Sequence, residues 1–243
     1  MIVIPMAGLS SRFQRAGYRL PKYMLDLHGR SLFRHSVESF GAYFASEDFL
    51  FVARDNSDTD VRQFIERELA DMSIQRAQVV LLDAPTEGQA DTVRQGLSCA
   101  GISSDVPLII FNIDTFRPGY LFPAAEWTDH ADGYVEVMID DDPGFSFVEP
   151  SKGGCRVLRT AEKEPISNLA STGLYFFRRS HDFLSAAFSR DAKAKGELYI
   201  APLYNHLIAQ GLDIRYHVVH RDQVVLCGTP EQYVLLGGGP APV

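Results

Sequence analysis

The chain has 243 residues, 46% hydrophobic and 22% charged, a balance that belongs to folded globular proteins and excludes disorder. Lys and Arg number 23 against 31 Asp and Glu, so the net charge is −8, which argues against non-specific binding to nucleic acid or anionic lipid but leaves room for a local small-anion site. Three separated cysteines (Cys99, Cys155, Cys227) support neither a disulfide scaffold nor a zinc ribbon, and no apolar run reaches the ~18 residues of a spanning helix.

Residues 2–5 are short, apolar and β-branched, as in a buried strand, and residues 7–11 form a Gly- and Ser-rich loop. Residues 31–44 place Leu32, His35, Ser36, Ser39, Phe40 and Tyr43 near one helix face, with Ser31 available as its cap. Residues 49–53 and 78–82 read as strands, and 59–72 as an amphipathic helix with Val61, Phe64, Ile65 and Leu69 inward. Residues 89–99 read as a helix, and 108–111 as a strand that ends at Asn112-Ile113-Asp114. Alternation of this kind predicts a parallel sheet wrapped by helices, whose site lies beyond the carboxyl ends of the strands. The loop after the first strand and Asp114 after the fourth both fall on that edge.

The pattern then changes. Residues 134–139, 145–148, 156–159 and 174–177 are strand-like with little helix among them, which predicts a mixed or antiparallel extension. Residues 183–188 and 200–209 read as helices, and 214–219 and 224–226 as late strands. The expected organisation is a single domain over 1–236 with a flexible Gly/Pro tail over 237–243. Asp140-Asp141-Asp142-Pro143-Gly144 reads as a turn, and His217 and His220 point to opposite strand faces. Trp127 and the many Phe residues are assigned to the core rather than to nucleic-acid stacking. With no charged leader or cleavage site before the first strand, a cytoplasmic location is expected.

The first loop, Ala7-Gly8-Leu9-Ser10-Ser11-Arg12, has the chemistry of an anion cradle. Small residues let backbone N–H groups approach an anion, Arg12 offers a planar fork, and Lys22, ten residues on behind Pro21, offers a point charge. The spacing is neither that of a P-loop nor that of a dinucleotide fingerprint.

This stretch resembles the signature of the sugar-phosphate nucleotidyltransferases: a strand, then A-G-x-x-S-R, then P-K about ten residues later. Four further segments resemble the family in its order: Gly88-Gln89-Ala90-Asp91-Thr92-Val93, Asn112-Ile113-Asp114, Glu162-Lys163 and Thr172-Gly173-Leu174-Tyr175-Phe176-Phe177. The resemblance runs from residue 1 to about 235. It implies a three-layer α/β/α Rossmann-like (GT-A-like) nucleotidyltransferase domain with a mixed, mainly parallel central sheet. It also implies an Mg²⁺-dependent enzyme that condenses a nucleoside triphosphate with a sugar 1-phosphate or similar small phosphate and releases pyrophosphate, as in capsule or lipopolysaccharide precursor synthesis.

By the same resemblance, residues 7–12 cradle the triphosphate, with Arg12 on the β- and γ-phosphates, and Gly88, Gln89 and Asn112 serve the nucleoside. Lys22 stands between the α-phosphate and the attacking phosphate. Lys163 holds the acceptor phosphate, Glu162, Thr172, Gly173 and Glu197 line the acceptor side, and Asp114 is the metal ligand. Gly88 is read as leaving room for the base, and Asp91 as ordering its loop. One departure stands out: where the family carries a second carboxylate late in the chain, this sequence has Cys227, a poor Mg²⁺ ligand, and Glu197 is the candidate substitute. The nucleobase stays open, with CTP placed ahead of GTP and UTP, and so does the oligomeric state, homo-oligomers included. A glycosyltransferase of the same broad fold would leave Arg12 and Lys22 without a role. A non-catalytic nucleotide sensor is the reading that Cys227 favours.

Overall fold

The computed structural model describes residues 1–56, 58–102, 106–124, 130–189 and 196–241; Trp127 lies outside them, as do Pro242 and Val243. Strand β1 (Ile2–Met6) is buried along its whole length, as an apolar β-branched run predicts. It pairs in parallel with β4 (Phe49–Arg54) and β6 (Leu108–Phe111), and β4 pairs in parallel with β5 (Ala77–Leu82). Between them run α1 (Ser11–Arg15), the small ribbon β2–β3 (Asp26–Leu27, Arg30–Ser31), α2 (Leu32–Val37), α3 (Val61–Asp71) and α4 (Gln89–Cys99).

Side chains alternate across a strand, so each strand feeds two layers. Ile2, Ile4, Phe49 and Phe51 pack with Phe33, Val37 and Ile65 from α2 and α3 on one face. Val3, Leu50 and Val52 pack on the other face with Val93 and Leu97 from α4, and with Phe183 and Tyr204 from α5 (Ser180–Ala187) and α6 (Leu203–Ala209). The expected three-layer arrangement follows directly.

The helix expected over 31–44 is shorter than the pattern suggests. Ser31 does cap α2, accepting from the Arg34 amide at 3.0 Å. The chain then tightens into a 3₁₀ turn over Glu38–Tyr43, with Phe40 at φ −98° and ψ 22°. That kink seats the Phe40 ring edge-on to Phe111 and Tyr120. The helix expected over 59–72 runs from Val61 to Asp71 and is capped by Asp60, whose carboxylate accepts from the Gln63 amide at 2.9 Å.

The extension is mixed, as expected. Strand β11 (Leu169–Phe177) starts five residues before its predicted position and runs antiparallel to β6. Beside it lie β8 (Gly133–Ile139), β9 (Ser146–Pro150) and β10 (Val157–Glu162), with β12 (Ile214–Val218) parallel to β8. A separate two-stranded ladder joins β7 (Thr115–Phe116) to β13 (Val225–Leu226), and α7 (Pro230–Leu235) follows. Residues as far as Ala241 lie against the fold: the Tyr18 hydroxyl donates to the Gly239 carbonyl at 2.9 Å, and Ala241 packs beside Phe13, Tyr18 and Tyr233. Among the described residues no helix is long and apolar enough to cross a membrane. The Asp140–Gly144 segment is a turn closed by Asp142 on the Gly144 amide at 2.8 Å.

A polar network crosses this core. Arg117 donates to both carboxylate oxygens of Glu136 at 2.7 and 3.1 Å and to the Gln223 carbonyl at 2.7 Å. The Thr172 hydroxyl donates to Glu136 at 2.8 Å. Arg117 and Glu136 are both buried, so removing one partner strands the other charge away from water. Arg117→Met is therefore expected to lower stability by about 3–5 kcal/mol, read as a reduced urea midpoint.

Candidate active site

Two adjoining cavities open along the carboxyl edge of the sheet, of about 580 Å³ and 330 Å³. The first is lined by residues 5–12, Lys22, the segment 85–89, Asn112, Asp114 and Glu197. The second is lined by Glu162, Lys163, Ser171, Thr172, Gly173 and Tyr175, with Gly228 and Thr229 from the far end of the chain. Arg12, Gln89, Asn112, Asp114 and Tyr199 line both, so they mark the junction.

The loop is held open rather than folded on itself. Among the described residues, no acceptor takes the amides of Gly8, Leu9, Ser10 and Ser11. A Cβ at Gly8 would meet nothing within 4 Å, so that glycine faces open space. Ser10, at φ 52°, turns the chain into α1, and its hydroxyl accepts from the Lys22 amide at 3.3 Å. One serine thus ties the loop to the lysine that follows it. Arg12 is exposed and has no carboxylate partner among the described residues.

Lys22 donates to Asp114 at 2.5 Å. Burial pushes the Asp114 carboxyl up, but the Lys22 ammonium, aided by Arg12, outweighs it and holds the group below its ordinary range. Asp114 is therefore an anion at neutral pH. Its backbone carbonyl accepts from the Cys227 amide at 2.8 Å, through the β7–β13 ladder. Cys227 itself is fully buried, with Phe13, Phe116 and Tyr233 around it. Burial, with Asp114 beside it, pushes the thiol up to about 12. It is neutral at physiological pH and no hard-ion ligand.

A divalent ion of the magnesium type takes one or two carboxylates and completes its shell with phosphate oxygens and water. Asp114 fits that requirement as a single protein ligand. Among the described residues no three His, Cys, Asp or Glu side chains converge. Glu197, the candidate substitute for the missing carboxylate, lines the first cavity and lies beside Lys163 and Tyr199.

Two glycines explain how the junction is built. Gly173, at φ 89°, sits in a bulge of β11 between Ser171 and Tyr175, and a Cβ there would stand 2.5 Å from the Asn112 amide nitrogen. Its absence lets the Asn112 side chain lie across the strand and accept from Gln89 Nε2. Gly88, at φ 141°, was expected to leave room for a base. The space is instead taken by Leu198, whose backbone oxygen and nitrogen would lie 2.6 and 2.7 Å from a Cβ. The Leu198 amide donates to Glu87 O, and Leu198 O accepts from the Ala90 amide, both at 2.9 Å. Asp91 is buried and accepts from the Glu87 amide at 2.9 Å, so it orders this loop as expected.

In the second cavity, Glu162 is buried and accepts from the Ser146 hydroxyl, and its Oε1 lies 4.0 Å from Lys163 Nζ. Lys163 adopts φ 53° and donates to the Tyr199 hydroxyl at 2.6 Å. Thr172 lines the cavity, but its hydroxyl is turned to Glu136. Sequence reasoning missed Tyr199, although Glu197 two residues earlier was singled out. It also missed Gly228, Thr229 and Gln232, despite the visible capping pattern Thr229-Pro230-Glu231-Gln232.

No protein-family model matches the chain, and no curated protein matches it. Among solved structures, the chain is similar to a nucleoside-diphosphate-sugar pyrophosphorylase from Vibrio cholerae RC9, with 46% identity, a TM-score of 0.90, and 97% of this chain and 99% of that one covered. It shares its fold with an inositol-1-phosphate CTP transferase from T. maritima at 15% identity and a TM-score of 0.72, over 97% and 94% of the two chains. A UDP-glucose pyrophosphorylase complexed with UDP-glucose has the same fold at 17% identity and a TM-score of 0.74, over 97% and 95%.

Two outcomes follow from the electrostatics. Lys22→Met removes the main influence that holds the Asp114 carboxyl down and leaves burial opposed only by Arg12 and a backbone hydrogen bond, so the carboxyl should titrate higher than in the unaltered chain when followed by NMR. The ion pair stabilises above the ordinary ~3.9 and fades as pH falls through the depressed native value, so the stability lost in Lys22→Met should be larger at pH 7 than at pH 3 in urea unfolding. For the thiols, iodoacetamide at pH 8 should label exposed Cys99 in the native chain and reach Cys227 only after unfolding.

Proposed function

The chain belongs to the sugar-phosphate nucleotidyltransferase family, and from that membership we propose that it joins a nucleoside triphosphate to a sugar 1-phosphate or a similar small phosphate ester. The observation that carries this reading is the meeting of two cavities at Arg12, Asn112 and Asp114, with Lys22 on one side and Lys163 on the other. In the reaction an oxygen of the acceptor phosphate forms a bond to the α-phosphorus. The bond from that phosphorus to the bridging oxygen breaks, and pyrophosphate leaves with the electron pair. A phosphate ester is already ionised at neutral pH, so no general base is required. The chemical problem is repulsion between two polyanions, and positioning together with cationic side chains answers it.

In this reading the open amides of residues 8–11 and the fork of Arg12 bind the β- and γ-phosphates. Lys22 moves from Asp114 to the α-phosphate, and Lys163 holds the acceptor phosphate. Gln89 and Asn112, bonded to each other, face the nucleoside. Asp114 would hold a magnesium ion, which when bound neutralises phosphate charge. CTP is placed first among the nucleotides, with GTP and UTP next, and the product is a nucleotide-activated precursor of the kind used for surface polysaccharides.

The test is pyrophosphate release from four triphosphates against a panel of sugar and amino-alcohol phosphates. Release with one pair is the expected result, and Lys22→Ala and Asp114→Asn should each lower kcat at least a hundredfold, roughly the cost of losing one positioned charge in a transition state. Arg12→Ala should chiefly raise the triphosphate KM. Nucleotide binding with no turnover across the whole panel would support the sensor reading instead, and consumption of a nucleotide-sugar would support a glycosyltransferase.

A further inference from the structure

Tyr199 has no role in the scheme so far, yet it lines both cavities. Its hydroxyl accepts from Lys163 Nζ at 2.6 Å, and the same ammonium lies 4.6 Å from the ring centroid. Lys163 reaches it from an unusual backbone: φ is 53°, a left-handed conformation that a non-glycine residue keeps only where surrounding contacts enforce it. One such contact is the Lys163 amide, which donates to Phe145 O at 2.9 Å. Tyr199 is equally constrained, because Leu198 before it is pinned to Glu87 and Ala90 at the start of α4. A long flexible lysine side chain is thus aimed by a rigid aromatic that stands on the nucleotide-side wall.

We propose that Tyr199 is a positioning residue for acceptor binding: its hydroxyl fixes the Lys163 ammonium at the mouth between the two cavities. This rests on the functional reading above, in which Lys163 meets the acceptor phosphate. A flexible ammonium loses side-chain entropy each time it is ordered. Holding it beforehand spares that loss when the phosphate arrives, so the benefit falls on the acceptor and not on the triphosphate.

The test compares Tyr199→Phe, which removes only the hydroxyl, with Tyr199→Leu, which removes the ring as well, and places Tyr199→Phe in a Lys163→Met background. Tyr199→Phe should raise the acceptor KM roughly tenfold, the worth of one hydrogen bond to a charged group, and leave the triphosphate KM unchanged. In the Lys163→Met background the same change should add no further effect, because the group being positioned is gone. If Tyr199→Phe matches the unaltered chain while Tyr199→Leu raises both KM values, Tyr199 is only a wall and the proposal falls. Additive effects of Tyr199→Phe and Lys163→Met would also overturn it. If the unaltered chain releases no pyrophosphate with any pair, the functional reading fails and this inference falls with it, an outcome separate from the other two.

Discussion

The ion pair between Lys22 and Asp114 is the interaction on which the site is organised. It is short, lies at the junction of two cavities, and joins elements far apart in the chain. Each partner is fixed from behind. Lys22 is held through its amide by Ser10, and Asp114 through its carbonyl by Cys227. In the absence of ligand the two charges satisfy each other, so neither is left unpaired in a partly dry cleft. On the proposed reading, a bound phosphate would offer Lys22 a second anion and free Asp114 toward a cation. The pair would then be an arrangement that ligands exchange into without exposing an uncompensated charge.

Much of this was legible in the sequence because the amino-terminal half obeys simple periodicities. Residues 2–5 and 108–111 are apolar at every position, and the strands they predict are buried on both faces. Asp114 and the 7–12 loop fall on the predicted edge because strand direction alone places them there. What escaped was set by long-range contacts. The 31–44 pattern is amphipathic throughout, but burying Phe40 against Phe111 and Tyr120 required a kink that local propensity does not encode. Strand β11 hides behind Ser171, Thr172 and Gly173, which look like a turn. Of the three only Ser171 pairs with β8, and the bulge that follows is held on the other side by the Asn112 backbone amide, which donates to Gly173 O at 3.0 Å. Tyr199 was illegible because nothing in Gly196-Glu197-Leu198-Tyr199 says that Leu198 will cross Gly88.

Three glycines of the site answer to different physical demands. Gly173 and Gly88 are fixed by protein atoms that would collide with a side chain, whereas Gly8 borders open space. The first two let neighbouring segments close up at the junction, although all three line a cavity. Cys227 belongs with the first two. It sits where the family resemblance called for a carboxylate, but its surroundings are aromatic and its proton is firmly held. A metal at Asp114 would therefore depend on its substrates for the rest of its shell.

The packing beneath the first loop has a consequence for the order of folding. Phe13 and Tyr18, which support the loop from below, meet Tyr233 edge-on, and Tyr18 bonds to Gly239. Asp114 is likewise braced by Cys227. The parallel half of the sheet is built from residues 2–111, yet the floor under its first loop comes from residues 227–241. The mouth therefore takes its support from contacts of high sequence separation, which close slowly because loop entropy opposes them.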